Sequence, residues 1–316
     1  MNLSYSLVNS LLSGCPWSVA LDKIVKAETP TDGMSLRTLA GSALHAALEL
    51  HESRRREYFR TRGVSGDAKG ADRFELESVV EWYVTSSGYP FGYPFTNPGD
   101  AAKETDQCKD EALNGLSHFY ETPITKGQLG AGGTIRDLVM SWRPVAVERR
   151  FETYDRGVRQ RPLVGSADCV YLDDHGDLLV VDWKSATNLG RYGLDGAYQR
   201  LQGSTYSRAL VEAINLPGHK GLGYWPKAVF AVMRTTLGVN ANFQGVRVID
   251  IDPTDADMQA LDAQYVAAEQ IIDAGVFPKD PEAAGVLCQR YCSHNVSKGG
   301  TCYPQAPPEF DIRSYA

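Results

Sequence analysis

The sequence predicts an α/β fold, a central β-sheet flanked by helices, and three observations predict it. Five short apolar, β-branched runs stand at 145–151, 163–172, 178–183, 228–233 and 246–251, the lengths and compositions of strands. Segments with apolar residues at three- and four-residue steps stand before, between and after them, at 38–59, 195–214 and 253–274, which is helical spacing. A chain of 316 residues is long enough to bury a substantial core. The expected organisation is one domain over 1–316: N-terminal helices in 1–62, an insertion in 63–135, the core in 136–275 and a cysteine-bearing tail in 276–316.

Taken in order, Ser4 can cap a short amphipathic helix carrying Leu7, Leu11 and Leu12, which Gly14-Cys15-Pro16-Trp17 ends. Thr38 to Phe59 is a second helix, on which Gly41 and His45 are four apart and share a face. Gly41 suits a close approach of helix to sheet. An isolated helical histidine is ordinarily structural. The insertion contains a helix at Phe74–Tyr83, the loop SSGYPFGYPFTNPGD, another helix around Asp106–Tyr120 and the flexible stretch GQLGAGG. Tyr89, Phe91, Tyr93 and Phe95 either supply stacking surfaces for single-stranded bases or pin an irregular loop to the body.

Val145–Phe151 is the first strand. Its Glu148 points away from Val147 and Arg149, and is either a metal or water ligand or the partner of a nearby arginine. Leu163–Leu172 and Leu178–Trp183 flank the turn DDHGD and read as a hairpin. Each carries one carboxylate in apolar company, Asp168 and Asp182. Alternation puts Asp182 and Lys184 on one face and Trp183 on the other. Two carboxylates and an ammonium on one sheet face are costly to desolvate unless compensated. Mg²⁺ or Mn²⁺, which take hard oxygen ligands and keep several waters, would compensate them, and Lys184 could then orient an activated water or stabilise phosphoryl charge. The plainer reading is an Asp–Lys ion pair at a strand end. On the helix 195–214, Gln202 and Tyr206 lie on one face.

These pieces occur in a telling order: Gly41-Ser-Ala-Leu-His45, Gly165-Ser-Ala-Asp168, Asp182-Trp-Lys184 and Gln202-Gly-Ser-Thr-Tyr206. The set resembles the RecB-like branch of the PD-(D/E)XK nucleases, particularly the AddB, CRISPR-associated and phage exonuclease type, from Ser4 to Cys302. The resemblance implies a restriction-endonuclease-like core, with a central mixed β-sheet flanked by helices, and a metal-dependent DNA nuclease, an exonuclease, acting in recombination, repair or phage DNA metabolism. It makes His45 a metal ligand with Asp168 and Asp182, and Gln202 and Tyr206 residues that hold the DNA near the metal. It also makes Cys15 the first ligand of an iron–sulfur cluster.

Six cysteines in such a chain point to metal binding or buried thiols. Cys15 with Cys288, Cys292 and Cys302 would make the four thiolates of a [4Fe–4S] cluster, tying the first helix to the tail. Structural zinc on Cys288, Cys292, His294 and Cys302 is the competing assignment. The net charge of −7 argues against coating nucleic acid by bulk electrostatics, but leaves room for a local basic channel. Arg54, Arg55, Arg56, Arg60 and Arg62, and seven more arginines from Arg136 to Arg161, are its candidate linings.

No apolar run spans a bilayer and no charged-then-apolar leader opens the chain, which places the protein in the cytoplasm with no membrane partner. The expected substrate is DNA with single- or double-stranded ends. No P-loop motif is present, so the nuclease would lack a motor of its own and either act alone or borrow a helicase, annealing or recombination partner. Two other classes stay open: a catalytically silent DNA-binding or assembly subunit, and a regulatory iron–sulfur or zinc protein.

Overall fold

The computed structural model describes residues 2–13, 15–21, 23, 36–62, 70–86, 101–154, 158–193, 197–214, 222–237, 245–275 and 277. Tyr89, Phe91, Tyr93, Phe95, Arg156, Cys288, Cys292, His294 and Cys302 lie outside the described residues. The chain divides into two compact units, one of Met1–Asp32, Phe151–Gly165 and Asp255–Ala316, the other of Gly33–Arg150 and Ser166–Thr254.

The first unit holds α1 (Tyr5–Ser13), α2 (Pro16–Ala20) and α8 (Asp255–Ala274); α3 to α7 belong to the second. Ser4 caps α1 as expected, its Oγ accepting the Leu7 N–H at 3.3 Å. Leu3 bridges to Leu163 through Leu3 N–H to the Pro162 carbonyl (2.9 Å) and Val164 N–H to the Leu3 carbonyl (2.7 Å). The buried Glu269 of α8 accepts the Arg161 N–H at 2.7 Å, and the Arg159 guanidinium lies 5.7 Å from the Tyr265 ring centroid.

The second unit contains α3 (Leu36–Arg62), α4 (Arg73–Ser86), α5 (Ala101–Glu121), α6 (Ile135–Met140) and α7 (Ala197–Ile214). The strands are β1 (Arg143–Thr153), β2 (Leu163–Leu172), β3 (Leu178–Ala186), β4 (Lys227–Arg234) and β5 (Val246–Ile251), in the sheet order β1-β2-β3-β4-β5. β2 and β3 are antiparallel through the DDHGD turn, β3 and β4 parallel, β4 and β5 antiparallel. The sheet is therefore mixed and flanked by helices, as predicted. The parallel step requires a crossover, and α7 supplies it.

Alternation sorts the strands between two cores. Leu179, Val181 and Trp183 of β3, with Val229, Ala231 and Met233 of β4, pack with Leu44 and Leu48 of α3, Val80 of α4 and Leu116 and Phe119 of α5. Ala228, Phe230, Val232, Ile249 and Ile251 form the opposite face. There α7 comes so close that a side chain at Gly203 would stand 3.1 Å from the Ala228 Cβ. Coverage on both faces explains why β3 reads as an unbroken apolar run.

Two features differ from expectation. The stretch GQLGAGG, expected to be flexible, folds into hydrogen-bonded turns, with Ile124 N–H on the Gly133 carbonyl (2.7 Å) and Val248 N–H on the Gln128 Oε1 (2.8 Å). The helix α6 was not expected. Its signal was local: Thr134 and Asp137 make a reciprocal capping box, Thr134 Oγ1 accepting the Asp137 N–H (3.1 Å) and Asp137 Oδ2 the Thr134 N–H (2.9 Å).

Candidate active site

The β2–β3 register runs from Leu172↔Leu178 to Cys169↔Val181 and stops one pair short of Asp168 and Asp182. Where the ladder stops, a side chain takes over: Asp168 Oδ2 accepts the Trp183 N–H at 2.8 Å. The strands thus part where the two carboxylates lie. His45, arriving from α3, uses the opening, and its Nδ1 stands 3.6 Å from Asp168 Oδ2. Gly41 makes that approach possible, because a Cβ there would meet the Ser185 Oγ at 2.4 Å.

Asp182 is 2% exposed and held from two sides. Its Oδ1 accepts the Tyr206 hydroxyl at 2.6 Å and the Gln202 Nε2 at 3.2 Å, and Gln202 Nε2 also donates to the Tyr206 oxygen at 2.7 Å. Its Oδ2 lies 2.6 Å from the Lys184 ammonium, and accepts no hydrogen bond among the described residues apart from that contact. The four-residue spacing on α7 therefore aims both Gln202 and Tyr206 at one carboxylate oxygen. Tyr206 is 7% exposed, so its ring offers no face for a base to stack on; its visible task is to orient Asp182.

Glu148 is the one non-glycine residue with positive φ (45°) among the described residues, a conformation that costs roughly 1–3 kcal/mol and gathers at functional sites. The strand burial around it departs from simple alternation. Ser166 Oγ donates to its Oε2 at 3.4 Å. Glu148 lines a cleft of about 620 Å³ with His45, Glu49, Tyr83, Ser185 and the exposed face of α3.

The electrostatics describe a site short of positive charge. Burial pushes the Asp168 carboxyl well above the usual carboxylate range, and the neighbouring Asp182 adds to the push. Burial and then Glu49 raise Glu148. Burial lowers His45, only partly opposed by Asp182. For Lys184, burial acts downward, but attraction to Asp182 prevails and its proton is held more firmly than usual. Tyr206 is raised by burial and then by Asp182, so it stays a donor.

Among the described residues no three His, Cys, Asp or Glu side chains stand gathered as a ready-made cage; an ammonium occupies the Oδ2 side of Asp182 instead. The donor set nevertheless fits a hard divalent cation. It offers two carboxylates whose charges oppose each other, a buried Oδ2 with unused lone pairs and an imidazole favoured in its neutral form, and Mg²⁺ needs few protein ligands because it keeps its waters.

The structure thus brings together His45, Asp168, Asp182, Lys184, Gln202 and Tyr206, with Glu148 on the adjoining cleft. Among the described residues Cys15 is a half-buried thiol of the first unit with no disulfide partner. Glu49 and Ser185 were missed by the sequence reading. The signal for Glu49 was available, since it continues the four-residue step from Gly41 through His45. The basic channel needs correction: Arg55 is fully buried, with Nη1 on Glu52 (2.7 Å) and Nη2 on the Trp142 carbonyl (2.6 Å). Arg159 is buried too, and Arg54 and Arg60 are paired with Glu75 and Glu57.

The sequence pattern of the PD-(D/E)XK nuclease superfamily matches residues 2–297 of the chain. No curated protein sequence matches it. Similar solved structures include one from Eubacterium rectale described as "Putative exonuclease", 13% identical, covering 97% of this chain and 90% of that one with a TM-score of 0.48. Another is SSO0001, 13% identical, covering 83% of this chain and 86% of that one with a TM-score of 0.32. No helix among the described residues is long and apolar enough to cross a membrane.

Proposed function

The chain belongs to the PD-(D/E)XK nuclease superfamily, and from that premise we propose that it is a RecB-like, Mg²⁺- or Mn²⁺-dependent deoxyribonuclease acting as an exonuclease. The observation that supports this reading best is the pair of carboxylates at the end of the β2–β3 ladder, one held by a backbone N–H and the other by Tyr206 and Gln202, with Lys184 2.6 Å from the second. Asp168, Asp182 and His45 would hold the cation, which when bound supplies Lewis-acid stabilisation of phosphoryl oxygens and a more acidic water.

The chain's own residues do the positioning. Tyr206 and Gln202 fix the Asp182 carboxylate so that its Oδ2 faces the Lys184 side. The Lys184 ammonium, kept protonated by Asp182, donates hydrogen bonds to the attacking water or to the phosphoryl oxygens as charge builds on them. Glu148, whose raised proton affinity makes it a better base than an ordinary glutamate, accepts a proton from the water. The phosphodiester is attacked in line and the P–O bond to the leaving nucleotide breaks.

The test is cleavage of end-labelled linear single- and double-stranded DNA with Mg²⁺, Mn²⁺ or EDTA, beside folded Lys184→Ala and Asp182→Asn variants. Metal-dependent degradation that falls at least about a hundredfold in both variants is expected, and the product ladder separates exonuclease from endonuclease action. Wild type that binds DNA but cuts nothing with either metal would overturn the enzyme reading in favour of a silent binding subunit.

A [4Fe–4S] cluster on Cys15, Cys288, Cys292 and Cys302 is proposed beside it, on the thiolate count alone. Anaerobically purified wild type should be brown and hold iron and sulfide, and Cys15→Ser should bleach it. A colourless protein with stoichiometric zinc would assign the tail to zinc instead. A helicase, annealing or recombination activity that supplies or uses the DNA ends is the proposed partner.

A further inference from the structure

The cleft beside the carboxylates continues past them along α3. Arg37, Thr38, Gly41, Ser42, His45, Ala46 and Glu49 form one wall, and Tyr83 of α4, Glu148 of β1 and Ser185 of β3 also line it. Its chemistry is sorted along the helix. Glu49 and His45, with Glu148, mark the end beside Asp168. Arg37, Thr38 and Ser42 mark the other, with a cation and two hydroxyls and no carboxylate. Ser42 and Ala46, both small, leave room along the helix beside the point where Ser185 meets Gly41.

Arg37 differs from Arg54, Arg60 and Arg73 in the helical layer. Arg54 is paired with Glu75, Arg60 with Glu57, and Arg73 with Glu77 and Glu121. Arg37 is exposed and has no carboxylate partner among the described residues. Tyr83 packs part of its ring against the core of α3, α4 and α5 while lining the cleft, so the ring is anchored and costs little ordering when a base meets it.

We propose that this cleft is a subsite for one strand of DNA, in which Arg37, at the end away from the carboxylates, holds a backbone phosphate and Tyr83 stacks on a base. The proposal rests on the nuclease reading for which bond is cut, but not for binding. Eight residues of helix separate Arg37 from His45, about 12 Å of rise, which spans roughly three to four stacked nucleotides at about 3.4 Å each. The cleft, of about 620 Å³, lies open to solvent along its length, so a strand can enter it from the side. The strand would run from the Arg37 end, where its charge is welcomed, to the carboxylate end, where it needs a cation.

The experiment measures binding first and cleavage second. A labelled single-stranded oligonucleotide is titrated by anisotropy in EDTA over a range of salt, with wild type, Arg37→Gln, Arg37→Lys, Tyr83→Leu and Tyr83→Phe. Arg37→Gln should reduce the slope of log affinity against log salt by about 0.7, one phosphate contact on a single strand, and Arg37→Lys should restore it. Tyr83→Leu should weaken binding roughly tenfold, and Tyr83→Phe, which keeps the ring, should not.

Neutral methylphosphonate linkages placed one at a time should reveal one position that matters to wild type and not to Arg37→Gln. If Tyr83→Leu does not fold, quenching of a 2-aminopurine base by wild type and Tyr83→Phe reads the stacking instead; absence of quenching at every position counts against it. An unchanged salt slope in Arg37→Gln, or a methylphosphonate profile identical to that of wild type, overturns the phosphate assignment. Cleavage that persists with that result refutes the subsite and leaves the nuclease reading standing. Arg37-dependent binding without cleavage does the reverse.

Discussion

Replacing Tyr206 by Phe removes one oxygen from a buried ring and leaves its packing in place, which isolates the hydroxyl's bond to Asp182. That bond is 2.6 Å long and ends on a carboxylate 2% exposed, so it is charge-assisted and desolvated, a class worth about 1.5–3 kcal/mol. Gln202 stays on the same oxygen at 3.2 Å and keeps the loss near the middle of that range. For cooperative unfolding of a chain this long, a loss of about 2 kcal/mol lowers Tm by roughly 3 °C.

The control is the same change in an Asp182→Asn background, where the bond becomes neutral and its worth falls to about 0.5–1.5 kcal/mol. Thermal unfolding of the four proteins in EDTA should therefore show a coupling of about 1 kcal/mol between the two positions, and cleavage by Tyr206→Phe should drop through a lower kcat. Equal losses in both backgrounds, within about 0.5 kcal/mol, would mean that Tyr206 acts through packing and does not orient Asp182.

Other outcomes follow from the same geometry. Gly41→Ala gains about 1 kcal/mol of helix propensity but forces a Cβ to within 2.4 Å of Ser185 Oγ; it should destabilise by about 1 kcal/mol net, and turn neutral or stabilising with Ser185→Ala, as read by chemical denaturation. His118 is lowered by burial and then by Arg234, with Nδ1 2.7 Å from Thr122 Oγ1. The unfolded chain therefore binds more protons than the fold just below the ordinary histidine value of about 6.5. Stability should fall as pH drops through that value, and His118→Gln should flatten the decline in Tm between about pH 7 and 5.

Much of the site was legible because it rests on short-range geometry. The turn DDHGD between two apolar runs fixed a hairpin, a period of two fixed Asp182 and Lys184 on one face, and a step of four aligned Gly41 with His45 and Gln202 with Tyr206. Each relation needs only the local backbone. Capping is equally local, and α6 could have been found from Thr134 and Asp137.

Other features depended on what packs against what. Spacing put Gln202 and Tyr206 together but not the object they face, and the crossover of α7 over β3 and β4 turned both toward Asp182. Alternation gave Glu148 a direction but not its left-handed backbone. The run Arg54-Arg55-Arg56 reads as one basic patch, yet packing drew Arg55 into the core beside Glu52 and the Trp142 carbonyl, since burial belongs to the assembled layers and not to any residue type. The sequence by itself determined the strands, the helix faces and which residues could carry the chemistry. Only the tertiary structure decided where the β2–β3 ladder ends, which donors hold Asp182 and which arginine faces the cleft, because each depends on contacts between segments distant in the chain.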